Sequence, residues 1–428
     1  MDDDTLRLQI DSIAAGGDGV GRTGGLVVFV PRTAPGDVVT IRVEQRGRFA
    51  RGRLLAVERP SPHRVEPPCP HYTAQDCGGC QLQHLTYPAQ LDAKRAIVRD
   101  ALVRIARRQV ELPDVRPSPV EWRYRRKLTL AIRWSGGRWR AGLHPWHDPV
   151  GIFALEDCPI TQEPVLEVWR LVMLQASHFP RVPSLRGAVR LLDQGAAFVL
   201  EGAGGWPNAR RFFDAVPALA ALWWQPDGHR RRLIARRPPA AHAAAVDSPS
   251  AAAASRAGRE AGAAFAQVNA PVAAALREHV VARARAYAPN SVVDAYAGTG
   301  DTAVALAEGG ISVTAIEIDR DAASAAGARL SPPSRALTGP VERLIAGALP
   351  ADVVILNPPR GGLDPRVPAA IAEASPPRAL LYVSCNPATL ARDLGRLPGF
   401  RIASLLGFDM FPQTAHVETV CELVPEAA

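Results

Sequence analysis

No run of about 18 apolar residues occurs in this chain, so no helix that crosses a membrane is expected. Lysine is nearly missing: Lys94 and Lys127 are the only two among 50 Lys and Arg residues. The basic surface is therefore built from Arg, whose planar fork binds phosphate bidentately. A cationic leader is lacking too. The chain begins Met1-Asp2-Asp3-Asp4, and a cytoplasmic protein with reduced thiols is expected. In that compartment the six cysteines read as metal ligands or nucleophiles rather than as disulfides. What is present is globular: 47% of the residues are hydrophobic, and 428 residues exceed one ordinary core, so two or three domains are expected. Basic residues outnumber acidic ones by 50 − 42 = 8, a balance that permits a nucleic-acid partner without requiring one.

Residues 5–60 read as a small β-barrel. Leu6-Arg7-Leu8-Gln9-Ile10 alternates, Val38–Val43 alternates in part, Leu26–Val30 is a buried strand and Gly52–Val57 closes the set. Gly16, Gly17, Gly19, Gly21, Gly24 and Gly25 mark the turns. About five such strands make an OB-like barrel, a fold that commonly holds oligonucleotides. Arg46, Arg48, Arg51 and Arg53 crowd one hairpin. The order of strands and glycines resembles the TRAM domain of RNA-modifying enzymes.

Cys69-x7-Cys77-x2-Cys80 follows, with Gly78-Gly79 inside the close pair, and a fourth thiol stands at Cys158. Glycine lets the backbone wrap tightly enough for neighbouring sulfurs to face one ion. Four thiolates suit tetrahedral zinc or a 4Fe–4S cluster, and spacing alone does not choose. Gln90–Arg108 has helical periodicity, with Leu91, Ile97, Val98, Leu102 and Ile105 on one side. Trp122-Arg123-Tyr124-Arg125-Arg126-Lys127 interleaves aromatics with cations. An ordinary strand with a solvated face does this, and so does an RNA-contacting surface. Leu128–Trp134 and Arg138–Leu143 flank Gly136-Gly137 as a hairpin. Ala240–Ala264 is Ala/Ser-rich and reads as a linker or a loosely helical insert.

From Phe265 strand and helix patterns alternate, which implies a parallel sheet. Val292–Ala295 is the first strand, Tyr296-Ala297-Gly298-Thr299-Gly300-Asp301 a glycine-rich turn, and Val313–Ile316 a second strand ending in Glu317. A carboxylate there can accept the ribose hydroxyls of a nucleoside ligand. The turn has no third glycine for a pyrophosphate and no Lys for a triphosphate. A nucleoside without phosphates fits better, S-adenosylmethionine being the common one; a nicotinamide dinucleotide is the alternative. Val353–Leu356 is the next strand and runs into Asn357-Pro358-Pro359-Arg360-Gly361-Gly362. Leu380–Val383 is a short buried strand, followed by Ser384-Cys385-Asn386-Pro387 and a helix over Ala388–Leu397. A thiol at the carboxyl end of such a strand stands where open α/β sheets bind ligands, although a lone Cys is more often core. A hairpin of Arg401–Leu406 and Val417–Leu423 closes the chain and carries Glu418.

These residues together resemble the RNA uracil-5-methyltransferase family, in the branch that carries an iron–sulfur cluster and a TRAM domain and acts on 23S rRNA. The motifs are Phe265-Ala266-Gln267-Val268-Asn269, Asp294-Ala295-Tyr296-Ala297-Gly298-Thr299-Gly300, Ser384-Cys385-Asn386-Pro387 and His416-Val417-Glu418. The resemblance implies a Rossmann-like α/β S-adenosylmethionine methyltransferase domain over 261–428. Ahead of it would lie an OB-like TRAM barrel over 1–60 and an α+β central domain with the iron–sulfur site over 61–260. It implies Cys69, Cys77, Cys80 and Cys158 as ligands of a 4Fe–4S cluster, and Gln267, Tyr296, Asp301, Glu317 and Asn357 at the cofactor. Asn357 departs from the Asp usual at its position.

The chemistry needs these residue types. Carbon 5 of uracil is too weak a nucleophile to take a methyl group directly; a thiolate added at carbon 6 makes it an enolate carbon. A base must then remove the carbon 5 proton so that the thiolate leaves. By the resemblance Cys385 is the nucleophile and Glu418 the base. Cys421, in an apolar strand, reads as core. The target uridine must leave its stack to meet the thiol. A monomer acting on 23S rRNA, with no membrane partner, is expected. Three rivals remain: an amino-group methyltransferase, for which Asn-Pro-Pro argues but Arg360 replaces the stacking aromatic; a radical methylthiotransferase, whose cysteine spacing differs; and an RNA-binding protein without catalysis.

Overall fold

The structure, a computed structural model, describes residues 5–46, 48–192, 195–238 and 267–426. The expected linker, Ala240–Ala264, lies outside the described residues, as do Phe265 and Ala266. The chain forms two compact units: Met1–Ala74, Gly78–Glu121 and Ile355–Ala428 make the first, Gln75–Cys77 and Trp122–Val354 the second.

In the first unit the N-terminal segment builds a sheet in the order Thr5–Gln9, Val38–Arg46, Phe49–Arg59, Leu26–Val30, Gly19–Thr23, Ser12–Ile13. Alternation sends Leu8, Ile10, Val28, Val30, Val39, Ile41 and Ala50 to one core. The sheet curls until its first strand meets Gly19–Thr23: a Cβ on Gly21 would stand 2.4 Å from the Gln9 carbonyl oxygen. Only glycine tolerates that approach. Six strands replace the five expected, because the two-residue strand Ser12–Ile13 is too short to leave an alternating signature. The Arg-bearing hairpin forms as read, and Arg51 pairs with Asp18 at 2.5 Å.

The helix expected over Gln90–Arg108 runs Tyr87–Arg104. Ile105 lies past its last turn and is exposed, contrary to its assignment to the apolar side. The buried face is partly polar because it holds a loop. Lys94 Nζ, fully enclosed, pairs with buried Asp409 and donates to the Phe411 carbonyl at 3.0 Å. Gln90 and Gln413 exchange two hydrogen bonds of 2.9 Å. Lys94→Met would strand the Asp409 carboxylate without its cation and should cost about 3–5 kcal/mol. The thermal midpoint of the variant checks this; a midpoint equal to that of the wild type would show the pair contributes nothing.

Also in this unit, Ala379–Ser384 lies antiparallel to Glu418–Pro425, which pairs antiparallel with Phe400–Phe408. Asp114–Arg116 adds in parallel to Phe400–Phe408. Every residue of Ala379–Ser384 is buried, so the strand reads as a continuous apolar run.

The second unit holds a seven-stranded sheet in the order Phe153–Ala154, Arg138–Leu143, Lys127–Ser135, Ser184–Leu191, Ala196–Glu201, Leu219–Gln225, Arg232–Arg236. Leu128, Leu130 and Ile132 are buried on one face, as are Phe198 and the Trp169, Phe179 and Phe212 rings that pack on it. The hairpin turns at Gly136 (φ 59°) and Gly137 (φ 74°) with Ser135 opposite Arg138, a two-residue loop of the primed kind. The strand does not reach back through Trp122–Arg126, as alternation suggested. Arg123 takes a positive φ of 52°, Tyr124 is buried, and the Arg123 guanidinium grips Asp157 at 2.8 and 2.9 Å. The Arg123 cation thus serves the fold.

Later in the same unit Ser291–Ala295, Ser312–Glu317 and Arg335–Thr338 pair in parallel, with helices Asp301–Ala307 and Arg320–Gly327 between them. This is the α/β alternation read from the sequence. The strand Val353–Leu356, wholly buried, straddles the division between the units. Among the described residues no helix is long and apolar enough to cross a membrane.

Candidate active site

Cys385 follows the strand Ala379–Ser384, where the chain turns into the helix Pro387–Leu394. The turn is held from every side. Ser384 Oγ accepts the Asn386 N–H at 3.1 Å, Asn386 Oδ1 caps the Ala388 N–H at 3.0 Å, and Thr419 Oγ1 donates to the Ser384 carbonyl at 3.1 Å. In the antiparallel ladder Ser384 stands opposite Thr419, the residue after Glu418, and the Glu418 charge acts on the Cys385 thiol. Glu418 is 3% exposed. Burial pushes the Cys385 thiol above its ordinary value, and the Glu418 charge adds to this; the Arg360 cation pulls the other way.

Arg360 was passed over in the sequence except as a break in a rival motif. Its loop is pinned from below. Buried Asp393 accepts the Leu363 N–H at 2.7 Å and the Tyr382 hydroxyl at 2.8 Å, and pairs with Arg392 and Arg396. Gly362 sits at φ 78°, and a Cβ there would meet Asp393 Oδ2 at 2.3 Å. An Asp on the same helix face as Leu390 and Leu394 was the available signal. Asn357 follows the strand Val353–Leu356 and is exposed.

In the second unit the glycine turn leaves the strand through Tyr296, at a positive φ of 64°. Gly298 and Gly300 are left-handed as well, and space beside Gly298 is open while Gly300 packs on Ala326. Glu317 is half-buried; its Oε2 accepts the Gly298 N–H and its Oε1 the Asp319 N–H, both at 2.8 Å. Asp301 opens the helix Asp301–Ala307 and is paired with Arg329 at 2.6 Å. Gln267 is half-buried ahead of the helix Ala270–Ala286.

Asp294, quoted in the motif but given no role there, is the residue the sequence reading missed. It is 3% exposed, and among the described residues its Oδ2 has no hydrogen-bond partner. Burial pushes its carboxyl up to about 7; the Ala303 N–H opposes this, and the charges of Glu317 and Asp301 add to it. Three carboxylates and an open glycine turn suit a ligand that brings positive charge. The folded protein holds the Asp294 proton where the unfolded chain, near 3.8, has lost it. The stability this contributes is full below 3.8 and lost as pH rises through about 7. Asp294→Asn should therefore raise the thermal midpoint at pH 8 by about 2–4 °C and leave it unmoved at pH 4. Equal midpoints at pH 8 would show that the carboxyl meets no penalty there.

Cys69, Cys80 and Cys158 are buried and Cys77 is half-buried; none is in a disulfide. Cys158 is framed by Arg123 and Asp157: Arg123 donates to its carbonyl at 3.1 Å, and Asp157 Oδ1 accepts its N–H at 2.7 Å. Among the described residues no three His, Cys, Asp or Glu side chains are gathered as a metal site.

Parallel strands joined by helices, with a glycine turn after the first and an acid ending the second, define a Rossmann-like sheet of the nucleoside-binding class. The same overall fold occurs in the crystal structure of Pyrococcus abyssi tRNA (uracil-54, C5)-methyltransferase in complex with S-adenosyl-L-homocysteine. The match has a TM-score of 0.68 and 23% identity, over 98% of this chain and 99% of that one. A family profile described as tRNA (Uracil-5-)-methyltransferase matches residues 346–424, and a TRAM domain profile matches residues 3–55. An uncharacterised RNA methyltransferase of Gloeobacter violaceus is 35% identical over 98% of this chain and 96% of its own length. The 23S rRNA (uracil(1939)-C(5))-methyltransferase RlmD of Pseudomonas putida is 34% identical over 97% of this chain and 92% of its own. The chain belongs to the RNA uracil-5-methyltransferase family.

Proposed function

We propose that this enzyme methylates carbon 5 of a uridine in 23S rRNA, using S-adenosylmethionine and a covalent Cys385 adduct. The observation that carries the proposal is that the Cys385 thiol, just past a buried strand, feels both the buried Glu418 carboxylate and the Arg360 cation. The Cys385 thiolate adds to carbon 6 of a flipped uracil, and carbon 5 becomes nucleophilic and takes up the methyl group. Glu418 removes the carbon 5 proton, and the carbon 6–sulfur bond breaks to return the thiolate. S-adenosylmethionine, when bound, supplies an electrophilic methyl on a sulfonium. Gln267, Tyr296, Asp301, Glu317 and Asn357 would hold it, and its positive charge would favour the ionised form of Asp294. Arg360 lowers the cost of the thiolate. An amino-group methyltransferase would need an aromatic to stack on its base where Arg360 stands.

Cys69, Cys77, Cys80 and Cys158 would hold a 4Fe–4S cluster; the support is the family resemblance and a donor set of four thiols outside any disulfide. No step runs through it. The protein would act as a cytoplasmic monomer, with a TRAM barrel over 1–60, a central domain over 61–260 and the methyltransferase domain over 261–428. The test is mass spectrometry after incubation with S-adenosylmethionine and 23S rRNA fragments containing 5-fluorouridine. Fluorine cannot leave as a proton, so a methylated RNA adduct on Cys385 should accumulate. Bound cofactor and bound RNA without any adduct would overturn the proposal.

A further inference from the structure

The seven-stranded sheet of the second unit has a second face, partly closed by buried Ala188, Ala197, Val199, Ala221 and Trp223, that catalysis does not use. Leu128, Leu130 and Ile132 turn inward, so Lys127, Thr129, Ala131 and Arg133 share the opposite face. The ladders set Lys127 opposite Arg190 and Arg133 opposite Arg140, two like-charge pairs directly across neighbouring strands. Such pairs destabilise a sheet. Arg186 stands on the same face opposite Glu201, at 3.1 Å, and Glu201 is also reached by Arg231 at 3.4 Å. Arg190, Arg231 and Arg186 all disfavour the charge on Lys127, and burial does so more strongly. Small side chains (Thr129, Ala131, Ser184) floor a trough of about 510 Å³ that is lined by Arg133 and Arg186 and also by the acids Glu201 and Asp227.

We propose that this face is a docking track for the phosphate backbone of the RNA substrate. The inference rests on the function proposed above and adds to it the surface that grips RNA away from the reacting base. A polyanion relieves the repulsion between Arg133 and Arg140. Arginine forks match phosphate oxygens bidentately, and a floor of small side chains lets a backbone lie close. Contacts of this kind position RNA without reading its sequence.

The test is fluorescence anisotropy of a labelled 23S rRNA fragment at a series of salt concentrations. It uses the full chain, the Arg133→Ala/Arg140→Ala/Arg186→Ala variant and the corresponding triple Lys variant. Each lost phosphate contact removes about 0.7–0.9 from the slope of log affinity against log salt. The Ala variant should bind at least about tenfold more weakly at ~0.15 M salt, with a slope shallower by about 2–3; the Lys variant should keep most of both. Its thermal midpoint should equal or exceed that of the wild type, since one like-charge pair is gone. Wild-type binding matched by the Ala variant in affinity and slope overturns the track and leaves the function standing. Equal displacement of the RNA by polyglutamate overturns it in favour of an acidic protein partner. A wild type that binds no RNA overturns both. If the Ala variant loses its fold, the Lys variant decides: weak binding with a shallow slope, fold intact, also overturns the track.

Discussion

Cys385→Ala should abolish methyl transfer, by more than about 10^4-fold, while RNA and S-adenosylmethionine still bind. The loss is this large because no other thiol can stand in. Cys421, the other cysteine of this ladder, is fully buried, and burial pushes its thiol up to about 12. The pH profile carries a second readout. The Cys385 thiol lies above its ordinary value of 9.0, chiefly through burial and then through Glu418, so only a small fraction is thiolate at neutral pH. The thiolate is the nucleophile, so kcat/KM should rise with pH across the neutral range and level off only in alkali. Arg360→Ala removes the one cation on the thiol and should carry that rise to higher pH. Turnover by Cys385→Ala within tenfold of the wild type would end the covalent mechanism.

Glu418→Gln separates the two halves of the reaction. Glutamine keeps the shape and cannot take the carbon 5 proton, so methyl transfer proceeds and release stops. A methylated RNA adduct should then accumulate on ordinary uridine RNA, resistant to denaturation, with turnover lower by about 10^2–10^4-fold. The same change removes the charge that raises the Cys385 pKa, so iodoacetamide should capture the thiol faster at pH 8 than in the wild type. Unchanged turnover with unchanged alkylation would show that Glu418 does not face the thiol in solution.

The motifs were legible because each is contiguous and each element around it is short. Tyr382–Pro387 announces a buried strand, a thiol and a helix start in six residues. The Gly136-Gly137 hairpin and the Asp294–Asp301 turn are local in the same sense: backbone conformation there follows from residues next to one another. The whole-chain resemblance covered what local patterns could not, and full-length relatives agree with it.

Other features depend on residues far apart in the chain. Lys94 and Asp409 are ordinary charges in sequence, and only a fold that encloses both makes them a brace for the loop before Glu418. Trp122–Arg126 alternates like a strand, yet Arg123 is claimed by Asp157 and Tyr124 by the interior, because tertiary partners outweigh a weak local preference. Asp294 is an ordinary strand-end acid in sequence, and only the fold buries it and brings the Glu317 and Asp301 charges to bear on it. By itself, then, the sequence determined the chemistry, since reaction type lives in residue identity: a thiol, a carboxylate, a glycine turn. Tertiary structure alone decided which charges face which. Cross-strand register, packing and burial set the charges of Glu418 and Arg360 that act on Cys385 and the two like-charge pairs of the central sheet, and none of these is a function of neighbours in the chain.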